Sequence, residues 1–377
     1  MERKYRLYAI TAVSLLAASA FLWWPRSSGD EVSRLTHVPA IAKNKIKTVE
    51  SQPSAVVAST SEIEPAAVAD KGFSGLFFGD IMIDRHVATR IKNDDIASLM
   101  GGLSGESGKF FKDYDLVSAN LEGAVTDKGA HYALQLTNDF AFKPATVASF
   151  KQYGFNFFNL ANNHLTDQGQ KGVTETRTNL SALGFGYSGC ADRQIGDCSG
   201  AVKELNGTKI ALLGFSMVYG DLDSAAAKLK VAEAKKQNDF VLVNVHWGTE
   251  YTHQFSKKQQ ALGHALVDAG ADAVIGHHPH VTQGIERYKG KPIFYSLGNF
   301  IFDQYFSRDT QESLAIGLFM EPGTTTVRIF PLKQKRSVPE LMNGKEKDAF
   351  LLKVSDWSTS EQEFKEVIKS GIFTLNE

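Results

Sequence analysis

Phe240-Val241-Leu242-Val243-Asn244-Val245-His246, then Ser256-Lys257-Lys258-Gln259 running on to Ala269-Gly270, then Ala273-Val274-Ile275-Gly276-His277-His278-Pro279-His280, read as strand, helix, strand. The first and last segments are short apolar runs rich in β-branched residues, as expected of buried strands. Between them Ser256 stands as N-cap with Gln259 three positions later, and Gly270 lies just past the last turn, so the helix is bounded by a capping box and a C′ glycine. Strands joined through a helix imply an α/β architecture. Both apolar runs stop at imidazoles.

The same alternation extends outward. Strands are expected at Leu76–Gly79, Leu116–Leu121, Phe155–Ala161, Lys209–Phe215 and Pro292–Ser296, and helices at Ala145–Tyr153, Lys171–Leu183, Ser224–Lys236 and Lys257–Ala269. Ser313–Met320 and Thr325–Leu332, separated by Pro322-Gly323, read as a β-hairpin. The end of the chain is charged and mixed, with one helix expected near Glu361–Lys369.

Polar residues recur directly after the apolar runs. Phe77-Phe78-Gly79 leads to Asp80, Val117 to Leu121 leads to Glu122, and Phe157 to Ala161 leads to Asn162, Asn163 and His164. The two runs quoted first lead to His246 and to His277, His278 and His280. In open α/β sheets ligands bind at the carboxyl ends of strands, so these groups are expected to meet at one edge. An isolated Asp or Asn in such a place is ordinarily a turn residue or a cap, and an isolated His is a hydrogen-bonded structural one. Packing gives no reason to gather three imidazoles within four positions. Carboxylates, amides and imidazoles together suit Mn, Fe or Zn better than Ca or Mg.

Composition narrows the classes. A net charge of −1 gives no reason to expect nucleic-acid binding. Two cysteines cannot build a cysteine-rich zinc cage. Residues 7–24 carry no charge and follow Arg3, Lys4 and Arg6. A run of roughly 17–25 apolar residues suffices to span a bilayer, and a basic flank stays cytoplasmic. Residues 1–6 are therefore expected as a cytoplasmic end and 7–24 as a transmembrane helix, with Trp23 and Trp24 at the far interface. The competing reading is a signal peptide cleaved near Ala18-Ser19-Ala20, but the apolar run continues past that point. Either reading makes the protein extracytoplasmic. Residues 25–72, with Ser51-Gln52-Pro53-Ser54 and Ala66-Ala67-Val68-Ala69, read as a linker. Residues 73–333 form the main domain and 334–377 a C-terminal extension. Outside the cytoplasm Cys190 and Cys198 are expected to form a loop-closing disulfide, the alternative being two free thiols.

Taken in order, Gly79-Asp80-Ile81-Met82 with Arg85, Asn120-Leu121-Glu122, Leu160-Ala161-Asn162-Asn163-His164 with Asp167 and Gly169, His246-Trp247-Gly248 with Glu250-Tyr251, Gly276-His277-His278-Pro279-His280 with Gln283, and Tyr295 to Phe300 resemble the motif series of CapA-type poly-γ-glutamate capsule synthesis proteins. These are distant relatives of the calcineurin-like metallophosphoesterases. The resemblance runs from about Gly75 to Pro331. It implies a calcineurin-phosphatase-like β-sandwich flanked by helices, with two divalent metal ions at the strand ends. By motif, Asp80 would bind the first ion and Glu122 would bridge. Asn162, His246 and His278 would hold the second ion, with His280 on the first and His277 behind them. His164 would act beside the substrate as an acid or a polar orienter. The phosphoesterases usually have a histidine where Met82 stands here, and a thioether is a weak ligand for such ions. That departure occurs within the capsule family, and it argues against ordinary phosphatase activity.

Function follows as expectation: an anchored component of anionic exopolymer synthesis or export, acting on a polyglutamate-like chain beside polymer synthase subunits. The alternatives are a cell-envelope metallophosphoesterase or a non-enzymatic scaffold. Arg85 would grip a carboxylate or phosphate, or form a surface ion pair. Glu250 would act as a base or orient His246. Asp303 would support the site or sit in a turn.

Overall fold

The computed structural model describes residues 71–104, 109–127, 138–358 and 361–376. The expected anchor at 7–24, and the linker up to residue 70, lie outside the described residues. Among the described residues no helix is long and apolar enough to cross a membrane.

The described chain enters on β1 (Phe73–Ile81) and passes through the short helices α1 (Arg85–Ala88) and α2 (Ala97–Ser104) to β2 (Leu116–Leu121). Two-residue strands β3 (Ala124–Val125) and β4 (Ala141–Phe142) pair with each other ahead of α3 (Pro144–Ala148) and β5 (Phe157–Asn159). Next come α4 (Gly169–Ala182), β6 (Gly186–Ser188), β7 (Gly200–Leu205) and β8 (Thr208–Ser216). After α5 (Ser224–Lys235), the segment quoted at the outset supplies β9 (Phe240–His246), α6 (Lys257–Asp268) and β10 (Ala273–His277). Short strands β11 (Ile285–Tyr288), β12 (Lys291–Phe294) and β13 (Asn299–Ile301) lead to the long hairpin β14 (Glu312–Glu321) and β15 (Thr324–Lys335). The chain closes with β16 (Val338–Leu341), α7 (Gly344–Trp357), α8 (Gln362–Ser370) and β17 (Ile372–Asn376).

Two sheets result. One runs β16-β15-β14-β1-β2-β5-β6, with β13 beside β1 and β17 beside β15. The other runs β11-β12-β10-β9-β8-β7. Strands β1, β2, β5 and β6 are parallel in the first, and β8, β9, β10 and β12 in the second, so the carboxyl ends within each set point the same way.

Side chains alternate across a strand, and the packing follows that period of two. From β1, Phe73 and Phe77 join Leu116 and Phe157 in a core shared with Leu212, Leu242 and Ile275 of the other sheet. Leu76 and Phe78 point outward instead, under Leu99, Val147, Val173 and Leu180 from the helices on that side. On β9, Leu242 faces the shared core while Val241, Val243 and Val245 pack beneath Val231, Leu262 and Leu266 of α5 and α6. The protein is therefore a mixed α/β molecule with two sheets face to face and helices on the outer faces.

Some expected elements shift. β5 is shorter than Phe155–Ala161, because the chain leaves the sheet after Asn159 to make the Asn-Asn-His turn. The helix expected at Ala145–Tyr153 is α3 followed by a 3-10 turn that Gly154 ends at φ 81°. The helix at Ser256 matches its expected capping box, with reciprocal hydrogen bonds between Ser256 and Gln259. The terminal segment holds α7 and β17 as well as the expected helix. Phe350, Leu351 and Val354 of α7, with Phe373 and Leu375 of β17, enter the shared core. Cys190 and Cys198 form the expected disulfide, with Cα atoms 5.2 Å apart.

Candidate metal centre

The two parallel strand sets deliver their polar ends to one place. Asp80 and Glu122 come from the first sheet, at and just after the ends of β1 and β2, and His246 and His277 end β9 and β10 of the second. One segment, Tyr295–Gly298, passes between the strand ends. The Asp80 N–H donates to the Gly298 carbonyl at 3.0 Å, and Leu297 N–H donates to the Gly276 carbonyl at 3.2 Å. A Cβ on Gly79 would stand 1.8 Å from the Gly298 oxygen, and one on Gly276 would stand 2.0 Å from the Tyr295 oxygen. Glycine alone permits that approach at both positions.

Asp80, Glu122 and His246 are fully buried, and each offers one ligand atom within 4.8 Å of the others. Glu250, His278 and His280 form a second group by the same measure, with Glu250 exposed. Asn120 ties the first group together. Its amide donates to Asp80 Oδ1 at 2.8 Å and lies 3.3 Å from His246 Nδ1, while its oxygen accepts from Asn159 at 2.9 Å and Asn162 at 3.2 Å. His278 and His280 both adopt left-handed backbone, at φ 96° and 58°, so the turn through Pro279 is held against its preference. The His278 N–H donates to Asp80 Oδ2 at 3.2 Å, and His280 Nδ1 lies 3.0 Å from Asn299 Oδ1.

Electrostatics mark the same residues. Burial would push the Asp80 carboxyl up, but His277 and His280 outweigh it and hold it well below the usual carboxylate range. Burial, with Asp80 adding its charge, pushes Glu122 up to about 7 against the pull of His280. His280 is raised to about 9, because the Glu122 and Asp80 charges overcome its own burial. Burial beside other imidazoles holds His246 well below the ordinary histidine value and lowers His278 to about 4.

These residues fit a divalent cation. Glu122 Oε1 and His278 Nδ1 are buried without a hydrogen-bond partner, and His277 Nδ1 reaches Asp80 Oδ1 only at 3.5 Å. Each such atom costs about 1–3 kcal/mol if nothing meets it. Carboxylate and imidazole acceptors turned toward one another are the donor set of such ions. Met82 takes no part, being packed in the outer core with its sulfur accepting from Asp84 N–H at 3.2 Å.

The remaining expected residues surround this centre. His164 Nε2 lies 3.7 Å from Glu122, and its Nδ1 lies 2.7 Å from Asp167. Burial lowers its pKa, but the Asp167 hydrogen bond and the Glu122 charge raise it by more. Its ring rests against Phe140, centroids 4.4 Å apart. Arg85 pairs with the buried carboxylate of Asp303 and donates to Asn138 at 2.9 Å. Arg85, His164, Glu250, Tyr251, His280 and Phe302 line a cavity of about 350 Å³ against the centre. Asn162 is placed differently. Its oxygen accepts the His164 N–H at 3.1 Å and its amide donates to Asn120 and to the Leu121 carbonyl. The amide turned to the imidazoles is Asn163, whose Oδ1 lies 2.8 Å from His246 Nε2. Asn120, Asn163, Asp167 and Asn299 were visible in the motifs but not singled out, since identity alone does not say which way an amide points.

The fold and site define a two-sheet α/β protein with a buried carboxylate, amide and imidazole centre of metal-binding character. The family described as "Bacterial capsule synthesis protein PGA_cap" matches residues 75–304, and the chain belongs to it. The chain is 36% identical over 282 residues to a capsule biosynthesis protein CapA of Bacillus anthracis, covering 70% of this chain and 67% of that protein. It is 32% identical over 290 residues to a PGA biosynthesis protein CapA of Bacillus subtilis, covering 72% and 74%. A crystal structure of a hypothetical protein from Thermus thermophilus superposes with a TM-score of 0.47 at 17% identity, over 70% of this chain and 100% of that one.

Proposed function

We propose that this protein takes part in the synthesis or export of an anionic, polyglutamate-like capsule polymer, with a two-ion metal centre of metallophosphoesterase type. In this reading residues 7–24 anchor it to the cell membrane and the described domain lies outside the cytoplasm. Family membership and the names of its relatives support the pathway. The observation that carries the chemistry is the convergence of Asp80, Glu122, His246, His278 and His280, with unpartnered acceptor atoms, at the ends of strands from both sheets.

Asp80 and His280 would hold one ion, Glu122 would be shared, and His246, His278 and Asn163 would hold the other. Asn163 takes the place first given to Asn162, because its oxygen lies against the His246 ring whereas that of Asn162 accepts from the His164 backbone N–H. Mn, Fe or Zn suits this set. Bound, the ions would polarise a carbonyl or phosphoryl oxygen and sharpen a water as nucleophile. The chain's own part is proton handling and grip. Asp167 takes the Nδ1 side of His164, leaving Nε2 toward Glu122 and the cavity, and the same partners favour the protonated ring that would give a leaving group its proton. Arg85, steadied by Asp303, presents its guanidinium at the cavity wall to a carboxylate or phosphate. Glu250, exposed at the mouth, is placed to accept a proton.

Elemental analysis of the purified full chain tests the reading. Two equivalents of Mn, Fe or Zn in the parent, lost in Asp80→Ala, are expected. Only trace metal in both proteins would leave a non-enzymatic scaffold as the better account.

A further inference from the structure

The disulfide loop reaches the metal centre by two routes. Cys190 and Cys198 close the segment that carries Asp192. The Asp192 carboxylate is nearly buried and accepts from the Ser216 hydroxyl, from Val218 N–H at 2.8 Å and from Tyr219 N–H at 3.0 Å. Arg193 N–H donates to the Ser216 carbonyl at 2.9 Å, so backbone and side chain of the loop grip the same turn after β8. That turn touches the centre. Met217 N–H donates to the His246 carbonyl at 3.0 Å. The Tyr219 hydroxyl accepts from Asn163 Nδ2 at 3.3 Å, and the other end of that amide, Oδ1, faces His246 Nε2 at 2.8 Å.

We propose that Asp192 and Tyr219 are positioning residues of the metal centre: the disulfide-closed loop holds the Tyr219 hydroxyl where it steadies the Asn163 amide against His246. The inference rests on the metal reading above. A hydroxyl can meet either end of an amide, so the order of donors comes from the other side: Asn120 Nδ2 beside His246 Nδ1 leaves Nε2 as the N–H that Asn163 Oδ1 accepts, and the Tyr219 hydroxyl, accepting from Nδ2, holds the amide in that place. Groups that orient a ligand in this way typically change metal affinity by about 10–100-fold. Tyr219 is 67% exposed, so its ring contributes little to the core and its placement has to be secured by the turn. The carboxylate secures it through bonds stronger than neutral ones, and the cross-link restricts the loop that carries the carboxylate.

The test uses the full chain, its Tyr219→Phe and Asp192→Asn variants, and the Cys190→Ser/Cys198→Ser double variant. Titration with Mn²⁺ is expected to show two ions in the parent, one of which binds about tenfold more weakly in Tyr219→Phe and Asp192→Asn. In metal-free protein, ¹⁵N spectra are expected to show a slowly exchanging Asn163 amide and a single His246 tautomer, both lost in Tyr219→Phe while the melting temperature stays put. Parent-like affinity and parent-like Asn163 and His246 signals in Tyr219→Phe and Asp192→Asn would overturn the proposal. A parent that binds no Mn²⁺ would defeat the metal reading, and the metal-free spectra would still decide the clamp. The cysteine variant separates the parts: weakening equal to that of Asp192→Asn assigns the loop's hold to the cross-link, whereas parent-like behaviour overturns the disulfide's share.

Discussion

The two ligand groups of the centre are built differently. Asp80, Glu122 and His246 are fully buried and sit in an amide net made by Asn120, Asn159 and Asn162. His278, His280 and Glu250 hang from a left-handed turn and a loop, with the carboxylate exposed at a cavity. The inner group is preorganised, since its side chains cannot relax without breaking a buried network. The outer group keeps one adjustable member. Under the proposed reading the inner group sets how tightly the ions are held, His278 and His280 complete their coordination, and Glu250, the exposed member, meets the substrate.

Substitutions can break that division. Asp80→Asn, which keeps the shape and removes the charge, should weaken metal binding at least 100-fold by competitive chelator titration, since binding requires the ionised ligand. A smaller loss than in Glu250→Ala would reverse the roles assigned here. Glu122→Gln should follow, and under the proposed two-ion reading, in which the carboxylate would be shared, both ions should weaken together. Loss of a single ion would remove the bridge.

Acidity sharpens the comparison. Burial pushes Glu122 up to about 7 and the Glu122 and Asp80 charges raise His280 to about 9, so toward lower pH both carry protons that a cation must displace. Metal affinity should therefore rise with pH through about 7 and on toward 9, with proton release measurable by calorimetry in buffers of different ionisation enthalpy. Affinity that is flat from pH 6 to 9 would exclude these two groups as ligands.

Glu250→Ala should lower metal affinity about tenfold or less while weakening binding of γ-glutamyl oligomers in a direct titration. The smallest effect belongs to Phe306→Ala. The ring is 67% exposed at the cavity mouth, so thermal stability should change by no more than about 0.5 kcal/mol.

Much of this was legible in the sequence. Buried strands write themselves as apolar runs, and the abrupt polar residues after them mark Asp80, Glu122, His246 and His280. Strand order was not legible, because nothing local says that β13 returns to lie beside β1 or that β17 adds to β15. Helix α7 was hidden in charged sequence, where only Phe350, Leu351, Val354 and Ser355 are buried. Asn162 and Asn163 are neighbours of one type, and only the turn decides which oxygen faces an imidazole.

The threading of Tyr295–Gly298 between the strand ends has a consequence for how this centre can vary. There β1 and β10 each lie directly against the backbone of this segment, at Gly79 and Gly276, where a single added methyl would collide with a carbonyl. Such a methyl would wedge the carboxylate half of the centre away from the imidazole half without touching any ligand. The positions least open to change therefore include two that carry no side chain, and the spacing of the centre is set by atoms that are not there.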